Sequence, residues 1–201
     1  MKRKEITVAL VLAVFSIATA AVWAGPANKS AIQGAVAGVT GKSVVYVEAI
    51  PGKTFTPPAK HGVVDQQGLV FVPHILVVQQ GQTVDFLNSD NVQHNVFWPS
   101  VGGDKKQGLN LGTWGKGGKR PFKFDTPGVV PLLCNVHPEM ASFIIVTPTP
   151  YFAITDESGN YTIPDVPDGS YTVTAWHEGS RSVSQPVKVE GATRVDFKLR
   201  K

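Results

Sequence analysis

Cysteine is almost missing from this chain of 201 residues: Cys134 stands alone. No intramolecular disulfide can form. Methionine is as scarce, with Met140 the only one after the initiator. Charged residues make up 17% of the chain, against roughly 25% in ordinary soluble domains. Lys and Arg number 19 and Asp and Glu 15, a net charge of +4. So mild an excess, with no basic stripe carrying interleaved aromatics, does not point to nucleic acid. The zinc-protease pattern H-E-x-x-H is absent. Beyond the N-terminal segment no window holds a 3.6-residue apolar period over three turns, which argues against helical bundles and coiled coils.

What the chain has is turns and short apolar strands. Gly (20) and Pro (15) are both plentiful, and hydrophobic residues reach 42%, enough for a packed core. Val195, Phe197 and Leu199 alternate with Asp196, Lys198 and Arg200, the two-residue period of a half-buried strand. Tyr171, Val173 and Ala175 alternate in the same way with Thr172, Thr174 and Trp176. Val44–Ala49, Leu69–Val72, Ile75–Val78, Val129–Leu133 and Phe143–Val146 read as core strands, separated by turn clusters such as Asn88-Ser89-Asp90 and Pro167-Asp168-Gly169. The reading is all-β with many short strands, as sandwiches or barrels. Pro99–Gly118, with seven glycines, is expected to be a long mobile loop holding at most a short strand near Leu109–Trp114.

Residues 1–24 have the layout of a secretory signal: Met1-Lys2-Arg3-Lys4, then an uncharged apolar run to Ala24 with small residues at two cleavage points. Export to the periplasm or beyond is expected, with retention as an anchor through residues 6–24 as the alternative. An exported chain with one thiol is unusual, because oxidising compartments favour paired cysteines. Such a thiol is dimerising, reactive or bound to something.

Cys134 lies in Cys134-Asn135-Val136-His137-Pro138-Glu139-Met140. A thiolate, an imidazole and a thioether thus fall within seven residues, at the end of an apolar strand. Forty residues upstream, after a strand and a turn, stands His94. Two imidazoles and a thiolate with a weak axial thioether form the ligand set of a mononuclear blue-copper site. Thiolate and thioether suit Cu(I) and imidazole suits either oxidation state, so an electron can come and go with little rearrangement. Pro138 removes backbone freedom just after His137. A dinuclear copper centre would need a second thiolate, and structural zinc favours more Cys or His and no Met. Asp156-x-Ser158-x-Asn160 opens like a calcium loop but has Tyr161 where Gly is needed, so it reads as a hairpin turn. His61, His74 and His177 each read as structural or exposed.

The stretch Phe71–Asn88, then His94-Asn95, then Cys134-x2-His137-x2-Met140, resembles the plastocyanin/azurin family of cupredoxins over about residues 62–147, and its short ligand loop looks most like amicyanin. The resemblance implies a Greek-key sandwich with one type 1 copper held by His94, Cys134, His137 and Met140. It also implies that Asn95 braces the two ligand loops. The ring edge of His137 would serve as the electron port, with Pro138 and some of Phe97, Trp98 and Leu132 lining a hydrophobic patch. Tyr151–Asp156, Gly159–Tyr161 and Val166–Glu178 resemble the carboxypeptidase-regulatory, transthyretin-like sandwich, and Gly34–Ala49 is similar to that module's opening strands. The pairing of both modules is similar to exported methylamine-utilisation-like proteins.

The expected organisation is a signal at 1–24, N-terminal strands at 25–61 that pair with the C-terminal sandwich, a copper domain at 62–147 and the small sandwich at 148–201. The expected function is an exported, non-enzymatic carrier of single electrons between a redox donor and an acceptor protein. The alternative is a copper-holding or adhesive module that does not cycle electrons.

Overall fold

The computed structural model describes residues 30–200. The expected signal at 1–24 lies outside the described residues. Two strands come first, β1 (Ser30–Ala37) and β2 (Val44–Val47). A middle group follows: β3 (Gly62–Gln66), β4 (Phe71–Val72), β5 (Ile75–Gln79), β6 (Thr83–Asn88), β7 (His94–Trp98), β8 (Leu109–Trp114), β9 (Lys119–Lys123), β10 (Gly128–Leu133) and β11 (Ala141–Thr147). The last group is β12 (Phe152–Ile154), β13 (Asn160–Val166), β14 (Gly169–Trp176), β15 (Val183–Val189), β16 (Ala192–Arg194) and β17 (Phe197–Lys198). No helix among the described residues is long and apolar enough to cross a membrane.

These strands make four sheets stacked in one pile. The middle group forms two, ordered β4-β3-β6-β9 and β5-β11-β10-β7-β8. The first and last groups combine into two more, β12-β2-β14-β15 and β13-β1-β16, with β17 also on β1. Thus β1 and β2 pair with C-terminal strands, and the middle group is inserted between the halves of the small sandwich.

Residue parity explains the stacking. Along β2, Val45 and Val47 enter the core of the small sandwich, while Val44 and Tyr46 face the other way. Along β11, Ile144 and Val146 fill the core of the middle sandwich, while Phe143 and Ile145 face outward. The outward residues meet: Val44, Tyr46 and Trp176 pack against Ile75, Val77, Val129, Phe143 and Ile145. A strand buried on both faces reads as a continuous apolar run, as Val44–Val47 and Phe143–Val146 do. Trp176 meets Phe143 with ring centroids 5.1 Å apart, and His74 bridges the same seam to Glu178 at 2.8 Å.

One sequence expectation fails in the middle group and another holds only in part. Leu69–Val72 is not a core strand. Leu69 and Val70 are 44% and 52% exposed and form the β3–β4 turn, with Leu69 at φ 61°. Pro99–Gly118 holds the expected short strand at Leu109–Trp114, but the residues before it are folded as well. It folds into a Val101–Asp104 bridge, a 3-10 turn over Lys105–Gln107 and the six-residue strand β8, which pairs with β7.

One glycine is fixed by close backbone approach. A Cβ on Gly34 would lie 1.8 Å from the carbonyl oxygen of Val195, where β1 passes the C-terminal strand. A Cβ on Gly115 would meet nothing within 4 Å. Gly34→Ala is therefore expected to lower stability by about 1–3 kcal/mol, read as a fall in the urea midpoint. Gly115→Ala should leave the midpoint within about 0.5 kcal/mol of the parent. Equal midpoints for both variants would contradict the packing of β1.

Candidate metal centre

The turn before β7 is organised by a side chain. Asn88, at the end of β6, donates its amide to the carbonyls of Val92 (2.9 Å) and Trp114 (2.8 Å), and its oxygen accepts the Asp90 N–H at 2.9 Å. This fixed turn delivers His94 to the first position of β7, fully buried. The neighbouring strand β10 ends at Leu133, which pairs with Phe97. Cys134 follows at once, 3% exposed. The chain then turns through His137 to Met140, whose N–H donates to the His137 carbonyl at 3.0 Å. Met140 is 1% exposed and belongs to the same core as Cys134.

These placements bring three ligand atoms together. One from each of His94, Cys134 and His137 lie within 4.8 Å of one another. The Nδ1 atoms of the two rings are 3.0 Å apart. That is about the reach of one ion, since metal–nitrogen and metal–sulfur bonds run about 2.0–2.3 Å. The donor chemistry fits copper: two imidazoles and a thiolate in a buried pocket, with a thioether at the next turn. The Asn95 N–H donates to the sulfur of Cys134 at 3.4 Å.

Asn95 also links both ligand loops to β8. Its amide nitrogen donates to Asn110 Oδ1 (2.8 Å) and the Gly112 carbonyl (2.7 Å), and its oxygen accepts the Asn135 N–H at 3.3 Å. β8 is thus part of the brace, which explains why the glycine-rich segment is ordered.

Sequence reading missed Asp90, taking it as a turn residue. Its carboxylate meets His94 Nε2 at 2.8 Å. The N–H groups of Leu69 and Gly68 donate to the same carboxylate at 3.0 and 2.8 Å. Those two amides, then His94, pull its pKa down to about 2. A fixed carboxylate on Nε2 places the ring proton there and leaves Nδ1 free to ligate. The available signal was the four-residue spacing of Asp90 and His94 beside a turn.

The expected surface patch needs correcting. Trp98 and Leu132 are 1% and 0% exposed, because both point into the sandwich core. Phe97 is half-buried and Pro138 exposed. The apolar exposure at this end comes from Val92 and Val136, each 45% exposed and each within two residues of a ligand histidine. The other histidines are partnered rather than solitary: His61 with Asp85, His74 with Glu178 and His177 with the Thr40 carbonyl. The Asp156 side chain accepts the N–H groups of Ser158 and Asn160, a hairpin turn.

Residues 59–147 match the family model for copper-binding proteins of the plastocyanin/azurin family. Residues 141–200 match the carboxypeptidase regulatory-like domain, which shares β11 with the copper domain. Among solved structures, the chain is similar to a reduced Trp-to-Tyr variant of amicyanin, with 23% identity over 45% of this chain and 91% of that one and a TM-score of 0.40. It is similar to an oxidised Pro-to-Ala variant of amicyanin, with 24% identity over 49% of this chain and 96% of that one and a TM-score of 0.40. It is also similar to a copper-containing nitrite reductase from Thermus scotoductus SA-01, with 26% identity over 50% of this chain and 25% of that one and a TM-score of 0.40. No curated protein matches.

Asp90→Asn keeps an acceptor beside His94 of the copper domain but removes the charge. Copper affinity, measured by competition with a chelator, is expected to fall about 10–100-fold. Unchanged affinity would show that the carboxylate does not hold the ring.

Proposed function

We propose that this protein carries single electrons between two redox proteins on one type 1 copper, held by His94, Cys134, His137 and Met140. The convergence of His94, Cys134 and His137 within 4.8 Å carries this reading. Copper supplies a Cu(I)/Cu(II) couple, and the chain supplies the rest. His94 and Cys134 sit in the packed interior, held by Asp90 and Asn95, so ligand positions resist change when the charge changes. Low rearrangement suits electron carriage.

His137 is the ligand histidine that is not fully buried. Its ring edge is the exit for the electron. Val92, Val136 and Pro138 around it offer a small apolar footing, which suits a partner that docks briefly and leaves. A carrier needs such an edge rather than a substrate cavity, so the reading is of a non-enzyme. The signal-like layout of residues 1–24 supports work outside the cytoplasm, with residues 6–24 either removed or kept as a tether.

Cu(II) titration of the purified protein is expected to give an intense blue band and narrow copper hyperfine splitting, both abolished by Cys134→Ser. The copper-loaded protein should show a reversible one-electron potential. Pale binding that survives Cys134→Ser would overturn the assignment. A blue centre with no reversible potential would favour a copper-holding module instead.

Copper binds the folded site better than the unfolded chain, so the loaded protein should also melt higher than the apo form. Equal melting temperatures would mean that the site is not formed in the folded chain.

A further inference from the structure

The basic residues of the C-terminal segment 148–200 fall into two groups. Lys188 and Arg194 each face a carboxylate, Glu190 at 2.5 Å and Asp196 at 2.9 Å. Arg181, Lys198 and Arg200 have no carboxylate partner among the described residues. These same three line one open cavity of about 690 Å³ with Gly179, Ser180 and Val183.

The cavity is built, not an accident of long side chains. Phe197 and Leu199 are buried at 3% and 1%, so Lys198 and Arg200 project together from the opposite face of the C-terminal strand. The Leu199 N–H donates to the Ala37 carbonyl at 2.8 Å, which pins that strand. Across from it, the β14–β15 loop is tied down by Ser180, whose hydroxyl donates to the Arg200 carbonyl at 2.7 Å. Glu178 neighbours the cavity in sequence, but its carboxylate meets His74 at the seam with the copper domain. Among the described residues, the cavity lining therefore holds three positive charges and no negative one.

Three facing cations without a counter-charge repel one another, and an anion relieves that repulsion. Two guanidinium groups offer planar forks for paired oxygens, and the lysine adds a point charge. Val183, 37% exposed, gives one apolar wall, and Gly179 leaves the loop side open. We propose that this groove is a binding site for a phosphate-bearing ligand, recognised through its oxyanion by Arg181, Lys198 and Arg200. The site is independent of the copper and of its function.

The test is calorimetric titration of the intact protein with pyrophosphate at physiological ionic strength, paired with sedimentation on phosphatidylglycerol vesicles against neutral phosphatidylcholine ones. Saturable one-to-one binding is expected. R181Q and R200Q should each weaken it about tenfold, while K188Q, on a paired lysine, should leave it unchanged. Binding of pyrophosphate alone assigns a soluble phosphorylated ligand. Arginine-dependent binding to the anionic vesicles assigns a lipid headgroup. Binding of neither probe would overturn the site, as would equal affinity in the R181Q/R200Q double variant. Because the three side chains are exposed, melting temperature should not move, which separates lost binding from lost folding.

Discussion

The metal centre depends on one constraint: β7 and β10 must lie side by side, so that residues forty positions apart reach one point. The ladder contact is small, Leu133 against Phe97. Asn95 supplies what the ladder lacks. Its side chain ties β7 to β8 and to the start of the cysteine loop, and its backbone N–H meets the sulfur. Each bond contributes only about 1 kcal/mol net. Their value is geometric, because all of them act on a backbone buried against Trp98, Leu132 and Val96. The core makes the frame stiff and the amide sets its register.

That frame is itself clamped from outside. In a free-standing sandwich the outer face of the β5-β11-β10-β7-β8 sheet would meet water. Here Phe143, Ile145 and Val129 on that face are covered by Val44, Tyr46 and Trp176 of the small sandwich. Ile145 and Val44 reach 1% and 0% exposure, a burial as complete as in either core. The strand that follows the ligand loop, β11, is therefore packed on both faces. The insertion of the copper domain between β2 and β12 makes this natural, since the chain leaves the small sandwich and returns to it at the same seam.

Much of this was legible in the residues. The ligand cluster stood out because cysteine and methionine are otherwise missing, and soft donors in one window with a histidine have few other uses. Alternation at Val195, Phe197 and Leu199 correctly marked a buried face. Continuous runs were harder. Phe143–Val146 and Leu69–Val72 look alike as apolar tetrads, yet the first is buried on both sides and the second contains an exposed turn. What separates them is Asp90, which draws the Gly68 and Leu69 amides to itself and so bends the chain where propensity alone would extend it. A contact across more than twenty positions leaves no local trace. The short strand β8 was legible, but its partners, β7 and the Asn95 side chain, were not.

The cation groove is lined by residues of the small sandwich, across the seam from the sheet that carries the ligand strands. β11 leaves the ligand loop at Ala141, and two residues later Phe143 meets Trp176, the last residue of β14. The next loop carries Arg181. Stacked sheets lie about 10 Å apart, and the groove belongs to the layers beyond the seam. Charges in water are screened over about 8 Å at physiological salt. The three cations therefore sit too far away to tune the copper through their field. The anion groove and the metal centre are therefore two separate sites on one chain.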